Sequence, residues 1–231
     1  MRTAAVVPAA GRGERLGPGT PKALRELGGV PILVHAVRAL AQARSVDIVV
    51  IAAPPDEVGA VAALLADHDV PAEVRVVPGG ATRQESVRLA VAALPDTVEV
   101  VLVHDAARPL VPVELVDAVA AAIAAGADAV VPVLPLADTV KQVAGDVVVA
   151  TPDRSSLRAV QTPQGFRRAV LADAHAMAAG ADATDDAGLV EALGLRVRTV
   201  PGSAEAFKVT RPLDLLLAEA LLAHRRAAGV R

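Results

Sequence analysis

Short apolar runs alternate with longer helix-like segments along most of this chain. Val- and Ile-rich runs that predict strands lie at 4–8, 46–53, 73–77, 98–103, 128–134 and 195–200. Segments with a helical spacing of apolar positions lie at 31–43, 56–67, 83–93, 113–125 and 167–178. Strands that are apolar on both faces are typical of parallel sheets covered by helices on both sides. The pattern therefore predicts an α/β fold with a mostly parallel, twisted sheet.

A stretch after the fifth strand-like run breaks this rhythm. Residues 138–151 predict a β-hairpin that turns at Gly145-Asp146, inside a protruding arm over 136–154. A two-stranded ribbon is marginally stable alone in water, so its valines need a covering surface. A second copy of the ribbon would cover them and shield the strand edges, and we therefore expect a two-fold homodimer. No linker interrupts the alternation, which predicts a single domain over residues 1–231.

The last helix is expected to follow Pro212, which suits the first turn of a helix. Its leucines predict one apolar face made of Leu213, Leu216, Leu217 and Leu221.

Composition limits the possible compartments and partners. The chain has 231 residues, of which 53% are hydrophobic, with no cysteine and a formal net charge of −3. Mean hydropathy is +0.46, yet no apolar run is long enough to span a membrane, and the N-terminus does not resemble a signal peptide. These features predict a cytoplasmic protein with no membrane partner. The negative charge and the absence of Trp and Tyr argue against nucleic acid as a partner.

The first strand ends in a loop that is rich in glycine and positive charge. Within residues 8–22 lie Gly11, Gly13, Gly17, Arg12, Arg15 and Lys22. Glycines let an anion approach backbone N–H groups closely, and a polyphosphate is the simplest anion for such a loop. Lys22 lacks the spacing of a Walker loop, and Leu16 occupies the position of the third glycine in the dinucleotide fingerprint. An ordinary strand-to-helix turn is the alternative.

Two further loops follow strands that should end at the same edge of the sheet, where ligands of open α/β sheets bind. Residues 79–86 begin with two glycines, and Thr82 is the expected N-cap of the next helix. A tight turn with a cap is again the alternative. After the strand at 98–103 comes Asp105, whose carboxylate is suited to Mg²⁺, the usual cofactor of phosphate chemistry.

Three polar side chains near these loops are interpreted as structural. His104 lies at the end of a buried strand, where histidine more often has a packing role. Asp185 and Asp186 follow Thr184 before a predicted helix, where the simplest interpretation is an N-cap with acidic first-turn residues, and the helix dipole favours both aspartates.

Five segments, in chain order, carry a resemblance to a known family. They are the loop at 8–22, G-G-x-x-R-x-x-S-V at 79–87, H-D-A-A-R-P at 104–109, T-P-Q at 162–164 and K-V-T at 208–210. The series resembles the 2-C-methyl-D-erythritol 4-phosphate cytidylyltransferases of the non-mevalonate isoprenoid pathway. The resemblance runs from about residue 3 to residue 226. It implies a Rossmann-like nucleotidyltransferase fold, similar to glycosyltransferase A, and transfer of CMP from CTP to the polyol phosphate with release of pyrophosphate.

The resemblance also implies roles for the matched residues. Catalytic cations that stabilise the phosphates are implied at Arg15, Lys22, Arg154 and Lys208. CTP-binding positions are implied at Ala9, Ala10, Gly11, Gly13, Arg15, Lys22, Gly80, Ala81, Ser86, Asp105, Ala106 and Lys208. The pocket for the polyol phosphate is implied at Asp105, Arg108, Thr139, Arg154, Thr162 and Thr184. Asp105 is the implied metal ligand, and the arm would carry Thr139 and Arg154 into the partner subunit's pocket.

Two positions depart from the family pattern. Ala81 stands where relatives often carry Asp, and Ala206 stands where Asn is usual. Two alternatives stay open: a cytidylyltransferase for another phosphate, such as ribitol 5-phosphate or a molybdopterin cofactor, and a non-catalytic nucleotide-binding domain. Ribitol-phosphate cytidylyltransferases tend to carry H-D-S-V-R-P in place of H-D-A-A-R-P. A non-catalytic domain would be expected to lose the loop cations or Asp105, which are all present.

Overall fold

The structure is a computed structural model that describes residues 1–11, 24–178 and 184–229. The strands in these ranges are β1 (Arg2–Pro8), β2 (Glu26–Leu27), β3 (Val30–Pro31), β4 (Ile48–Ala53), β5 (Glu73–Pro78), β6 (Val98–Val103), β7 (Ala129–Pro135), β8 (Gln142–Ala144), β9 (Val147–Ala150), β10 (Arg158–Val160), β11 (Gln164–Arg167) and β12 (Val197–Pro201). The α-helices in these ranges are α1 (Ile32–Ala41), α2 (Val58–Ala66), α3 (Arg83–Ala92), α4 (Val113–Ala124), α5 (Arg168–Met177), α6 (Asp186–Ala192) and α7 (Pro212–Ala227).

One eight-stranded sheet organises the fold, and its order is β10-β7-β11-β6-β1-β4-β5, with β12 paired to β7 as well. The pairs β1–β4, β1–β6, β4–β5 and β7–β12 are parallel. β10 and β11 run antiparallel to their neighbours. The predicted α/β class with a mostly parallel sheet is confirmed, and every predicted strand and helix overlaps an observed one.

The central parallel strands β1, β4 and β6 bury alternate residues in two different cores, which explains their apolar runs. In β4, Val49 and Ile51 pack with α1, α2 and α4. Ile48 and Val50 pack on the other face with α3, α5 and α6. Because successive side chains of a strand point to opposite faces, both sets must be apolar when helices cover both sides.

The α7 helix covers a third, smaller core with a face that differs from the predicted one. Ala218 is buried there, and Leu215, Leu221 and Leu222 pack around it. By contrast Leu213, Leu216 and Leu217 are 56–72% exposed, so the predicted face was wrong for these three positions. Leucines occur on every side of this helix, and the spacing alone could not choose among them.

The hairpin is present where the sequence predicted it. β8 and β9 pair antiparallel, and Gly145 between them has φ of +61°, a conformation that favours glycine. The hairpin follows the carboxyl end of β7, and every residue of β8 and β9 is exposed. It lies inside the predicted arm at 136–154.

No helix in the described ranges is long and apolar enough to cross a membrane. The expected cytoplasmic location stays a prediction.

Candidate active site

A cleft opens at the carboxyl ends of β1, β5 and β6, as expected for a sheet of this kind. Its volume is about 250 Å³. The sheet hydrogen bonds continue past the strand ends into the three loops: Ala9 donates to the Ala52 carbonyl at 2.8 Å, and His104 donates to the Val6 carbonyl at 2.9 Å. The described lining consists of Pro8, Ala9, Ala10, Gly11, Ile32, Gly80, Ala81, Thr82, Arg83, Ser86, Asp105, Ala106, Ala107 and Lys208.

The cleft brings together nine of the twelve implied CTP-binding residues. These are Ala9, Ala10, Gly11, Gly80, Ala81, Ser86, Asp105, Ala106 and Lys208. The other three, Gly13, Arg15 and Lys22, lie outside the described residues.

Asp105 stands between two cations at the floor of the cleft. Lys208 donates to Oδ2 of Asp105 at 2.7 Å, and Nε of Arg83 donates to Oδ1 at 3.3 Å. Burial alone would raise the pKa of Asp105, but the charges of Arg83 and Lys208 outweigh it and hold the pKa well below its usual range. The carboxylate is therefore ionised at neutral pH.

Behind the cleft, Arg83 is held by a second carboxylate. Its Nη1 donates to Oδ2 of Asp186 at 2.7 Å, and Nε2 of His175 lies 3.0 Å from the other oxygen. Burial would raise the pKa of Asp186, but the hydrogen bond from His175 and the charge of Arg83 lower it overall. Burial would lower the pKa of Arg83, and its two carboxylates raise it instead. Lys208, Asp105, Arg83, Asp186 and His175 thus form one chain of contacts, called here the cleft network.

The cleft network corrects the expectation for Asp186. Its side chain is 1% exposed and paired, so it does more than favour a helix start. Asp185, which was expected in the first turn, is instead the N-cap of α6 and accepts from the Gly188 N–H at 3.0 Å.

His104 is structural, as interpreted from the sequence. It is fully buried, and burial lowers its pKa to about 4, so it is neutral at pH 7. Nε2 donates to the Arg108 carbonyl at 3.1 Å, which leaves Nδ1 to accept from the Thr162 hydroxyl at 3.1 Å. The same hydroxyl accepts from the Asp105 N–H at 3.1 Å. His104 and Thr162 thus position the backbone of Asp105.

Comparisons with known proteins agree with this arrangement. The family model described as 2-C-methyl-D-erythritol 4-phosphate cytidylyltransferase matches residues 3–224. The chain belongs to this family. It is a nucleotidyltransferase, and the predicted enzyme class is confirmed.

Individual relatives extend the match over nearly the whole chain. The 2-C-methyl-D-erythritol 4-phosphate cytidylyltransferase of Streptomyces coelicolor is 64% identical over 234 residues, which cover 97% of this chain and 86% of that protein. The crystal structure of the same-named enzyme of Thermus thermophilus has a TM-score of 0.78 at 40% identity and covers 96% of this chain and 100% of its own. The structure of 4-diphosphocytidyl-2C-methyl-D-erythritol synthase from Anaerococcus prevotii has a TM-score of 0.83 at 27% identity, with 96% of each chain covered.

Arg108 lies beside the cleft and is largely buried. Its Nη1 donates to the Ala206 carbonyl at 2.6 Å, and Nη2 donates to the Val160 carbonyl at 3.4 Å. Burial lowers its pKa, and its Nε has no hydrogen-bond partner within the described residues. Because the contact at Ala206 uses the backbone carbonyl, Ala in place of the usual Asn leaves that contact intact.

Of the six residues implied for the polyol phosphate pocket, only Asp105 lines the described cleft. Arg108 and Thr162 are buried, and the other three are exposed. Thr139 and Arg154 flank the arm, where Nη1 of Arg154 donates to the Ala137 carbonyl at 2.6 Å. Thr184 is exposed just before α6.

The sequence analysis gave no site role to Arg83 or His175. Arg83 is the Arg of G-G-x-x-R, so the motif that carried the resemblance already marked it. His175 lies on the buried face of α5 beside Leu171 and Ala174. A histidine on an otherwise apolar helix face is a weak signal, because its partner Asp186 can be recognised only in the folded chain.

Proposed function

We propose that this chain transfers CMP from CTP to 2-C-methyl-D-erythritol 4-phosphate and releases pyrophosphate. An oxygen of the substrate's phosphate monoester attacks the α-phosphorus of CTP. A phosphate monoester has its second pKa near 6 and is largely dianionic at neutral pH, so the attack needs no general base. His104 is fully buried and both of its ring nitrogens are hydrogen-bonded inside the protein, which agrees with a reaction that uses no base.

The observation that carries this proposal is the position of Lys208 and Arg83 on either side of Asp105 in a cleft lined by three strand ends. The chemical difficulty is to bring two polyanions together, which cations offset by charge. Lys208 is 38% exposed and can turn toward a phosphate. We assign Arg15 and Lys22, from the sequence, to the same task.

The residues present fit a divalent cation that is bound mainly through the nucleotide. Within the described part of the chain, no group of three or more acidic or histidine side chains is placed to hold a metal. Mg²⁺ in phosphate-transfer sites commonly uses one or two carboxylates together with substrate phosphates and water. Asp105, which is ionised and lines the cleft, would be its protein ligand. The ion would neutralise charge on the phosphates of CTP.

The arm supports the proposal of a homodimer with shared active sites. Its valines Val143, Val147, Val148 and Val149 are 52–61% exposed. Pairing with a second arm would remove these valines from water. Thr139 and Arg154 at the base of the arm would then enter the cleft of the other subunit and bind the polyol phosphate.

Pyrophosphate release tests the reaction. The wild-type chain with Mg²⁺ should release pyrophosphate from CTP with 2-C-methyl-D-erythritol 4-phosphate, and much more slowly with ribitol 5-phosphate. ATP and GTP should be poor donors, because the loop at 79–86 leaves little room for a purine. Faster release with ribitol 5-phosphate would support the alternative substrate, and no release with any polyol phosphate would support a non-catalytic domain.

Complementation tests the shared site. Lys22→Ala and Arg154→Ala should each lower turnover by roughly 10²-fold, the scale of one lost transition-state charge contact. When the two variants are unfolded together and refolded, about half of the dimers should be mixed, each with one intact and one doubly damaged site. Two-fold symmetry then predicts activity of about a quarter of wild type. Mixed dimers with no recovery would place both residues in the site of one chain.

A further inference from the structure

The loop between β5 and α3 uses its first three backbone N–H groups inside the protein. Gly79 donates to the carbonyl at the end of β4 at 2.7 Å. Gly80 donates to Oγ of Ser86 at 3.1 Å, and Ala81 donates to Oε2 of Glu85 at 2.8 Å. A ligand that contacts residues 79–81 therefore meets no free N–H group of these three residues. The backbone groups left there are carbonyl oxygens, of which that of Gly80 also accepts from the Ser86 hydroxyl at 3.4 Å.

The Glu85 side chain is fixed in this position from two directions. Its own N–H donates to the Thr82 hydroxyl at 3.0 Å, which places Glu85 in the first turn of α3. Its side chain then folds back over the loop, so closely that a Cβ built on Gly80 would collide with it. Glycine at position 80 and the carboxylate at position 85 therefore depend on each other.

The pattern of acceptors matters for recognition of a pyrimidine. Cytosine carries an amino group at C4, which donates hydrogen bonds, whereas uracil carries a carbonyl oxygen there, which accepts them. A loop that presents carbonyl oxygens can accept hydrogen bonds from the amino group of cytosine. With uracil, the same loop places two acceptors opposite each other, the carbonyl oxygen of the loop and O4 of the base. An unpaired buried acceptor costs more than the bond itself contributes.

We propose that Glu85 sets the preference for CTP over UTP by holding the Ala81 N–H away from the bound base. The inference rests on the proposed use of CTP and on the implied contact of Gly80, Ala81 and Ser86 with cytosine. Without the Glu85 acceptor, the Ala81 N–H becomes a donor that suits the O4 of uracil, and the loop loses the bond that fixes its shape. Glu85 is a positioning residue, since it acts through the backbone of the loop.

Two substitutions at position 85 separate the acceptor from charge and volume. Glu85→Met keeps most of the volume over Gly80 but accepts no hydrogen bond, and Glu85→Gln keeps an acceptor without the charge. Glu114→Ala is the matched control, because it removes an exposed first-turn carboxylate from α4, away from the cleft. The readout is the ratio of kcat/KM for CTP to kcat/KM for UTP, from pyrophosphate release with 2-C-methyl-D-erythritol 4-phosphate. Because both kcat/KM values are measured on the same preparation of a variant, their ratio does not depend on the fraction of the enzyme that is folded.

Glu85→Met should lower this ratio at least about 10-fold, the scale of one hydrogen bond, chiefly through a higher KM for CTP. Glu85→Gln and Glu114→Ala should stay within about 3-fold of wild type. If Glu85→Met does not fold, Glu85→Ser gives the same readout. A wild-type ratio in the Met or Ser variant, or an equal loss in Glu85→Gln, would overturn the inference alone. A wild-type chain that releases no pyrophosphate from CTP would contradict the proposed function and the inference with it.

Discussion

The cleft network and the arm both follow the carboxyl ends of strands, at the same edge of the sheet. The cleft network is polar and largely buried, whereas the arm is apolar and exposed. In the cleft network, Asp105 and Asp186 are 14% and 1% exposed, and both are paired with cations of the same chain. In the arm, the valines of β8 and β9 are more than half exposed. The charged groups of the cleft network are paired within one chain. The valines of the arm, by contrast, stay exposed to water in a single chain.

Substitutions in the cleft network and in the arm should therefore affect stability and activity differently. Removing a buried member of the cleft network, such as Asp186, leaves a charge unpaired inside the protein, which costs stability as well as function. Lys208 is partly exposed, and without it Asp105 still keeps Arg83 as a partner. Changing the arm should cost no stability in the subunit itself, because its side chains contribute little to the cores. If the site is shared, it should cost activity instead.

The largest effect is expected from the arm. Val143 and Val148 are cross-strand neighbours, so Val143→Lys with Val148→Glu removes apolar area and keeps an attractive pair across the hairpin. Sedimentation should show a monomer, and turnover should fall by about 10²-fold or more, since Arg154 no longer reaches a second cleft. Unfolding by urea should keep its midpoint once protein concentration is accounted for. Leu213→Lys, on the exposed face of α7, is the control, and a fully active monomer would refute the shared site.

The next effect is expected at Lys208. Lys208→Ala should lower turnover about 10²-fold, because it removes one cation that stabilises the phosphates. Its side chain is more than one third exposed, so the free energy of unfolding should change by less than about 1 kcal/mol. Arg75→Ala, which breaks an exposed pair with Glu73, is the control for a lost surface cation. Turnover near the wild-type value in Lys208→Ala would remove this residue from the mechanism.

Asp186 should affect stability and activity together. Asp186→Asn leaves Arg83 without its buried carboxylate, which should cost about 3 kcal/mol of unfolding free energy and about 10-fold in kcat/KM for CTP. Asp185→Asn is the matched neighbour: its Oδ1 can still cap α6, but the oxygen that accepts from Gln164 Nε2 at 2.7 Å is lost, so we expect a loss of about 1 kcal/mol. Urea unfolding and pyrophosphate release measure the two effects. Equal losses in the two variants would show that Asp186 is no more than a helix-start residue.

The same contrast explains what the sequence could predict. Continuous apolar runs revealed the strands of the parallel sheet, because β4 is buried on both faces and apolar throughout, and β6 departs from this only at the exposed Glu99. A glycine turn between valine runs was enough to find the hairpin. Glycines and charged residues at strand ends indicated the loops at 8–22 and 79–86 and Asp105 as parts of one site, because the carboxyl ends of parallel strands meet at one edge. The nine individual cleft residues were implied by the family resemblance.

What the sequence missed depends on contacts between distant residues. β10 and β11 are three and four residues long, too short to show a period. The pairing of Arg83 with Asp186 joins residues that are 103 positions apart, and local spacing contains no information on it. Asp186 was predicted to be a first-turn acid, and it does lie in the first turn of α6. Its pairing with Arg83 and His175 can be recognised only in the folded chain, where α3, α5 and α6 meet.

The smallest effect on turnover, and a clear effect of pH, is expected at His104. Burial lowers its pKa from 6.5 to about 4, so the folded protein resists protonation of this ring more than the unfolded chain does. Its contribution to stability is therefore complete above about pH 6.5 and is lost as the pH falls toward 4. The full loss is ~3 kcal/mol, from about 1.4 kcal/mol for each pKa unit.

Urea unfolding between pH 7.5 and pH 4.5 measures this loss. The unfolding free energy of wild type should decline over this range, and His104→Asn should show a shallower decline. The unfolding free energy of His104→Asn should still decline somewhat with falling pH, because burial also lowers the pKa of His35. The carboxylates of the cleft network have lowered pKa values, so their contribution to stability is lost only below about pH 4. Turnover of His104→Asn at pH 7.5 should stay within about 10-fold of wild type, since the neutral ring moves no proton. His224→Asn, at an exposed position of α7, is the control. An unchanged slope in His104→Asn would mean that this ring is not the group that acid titrates, and a loss of turnover as large as that of Lys208→Ala would show that His104 takes part in the chemistry.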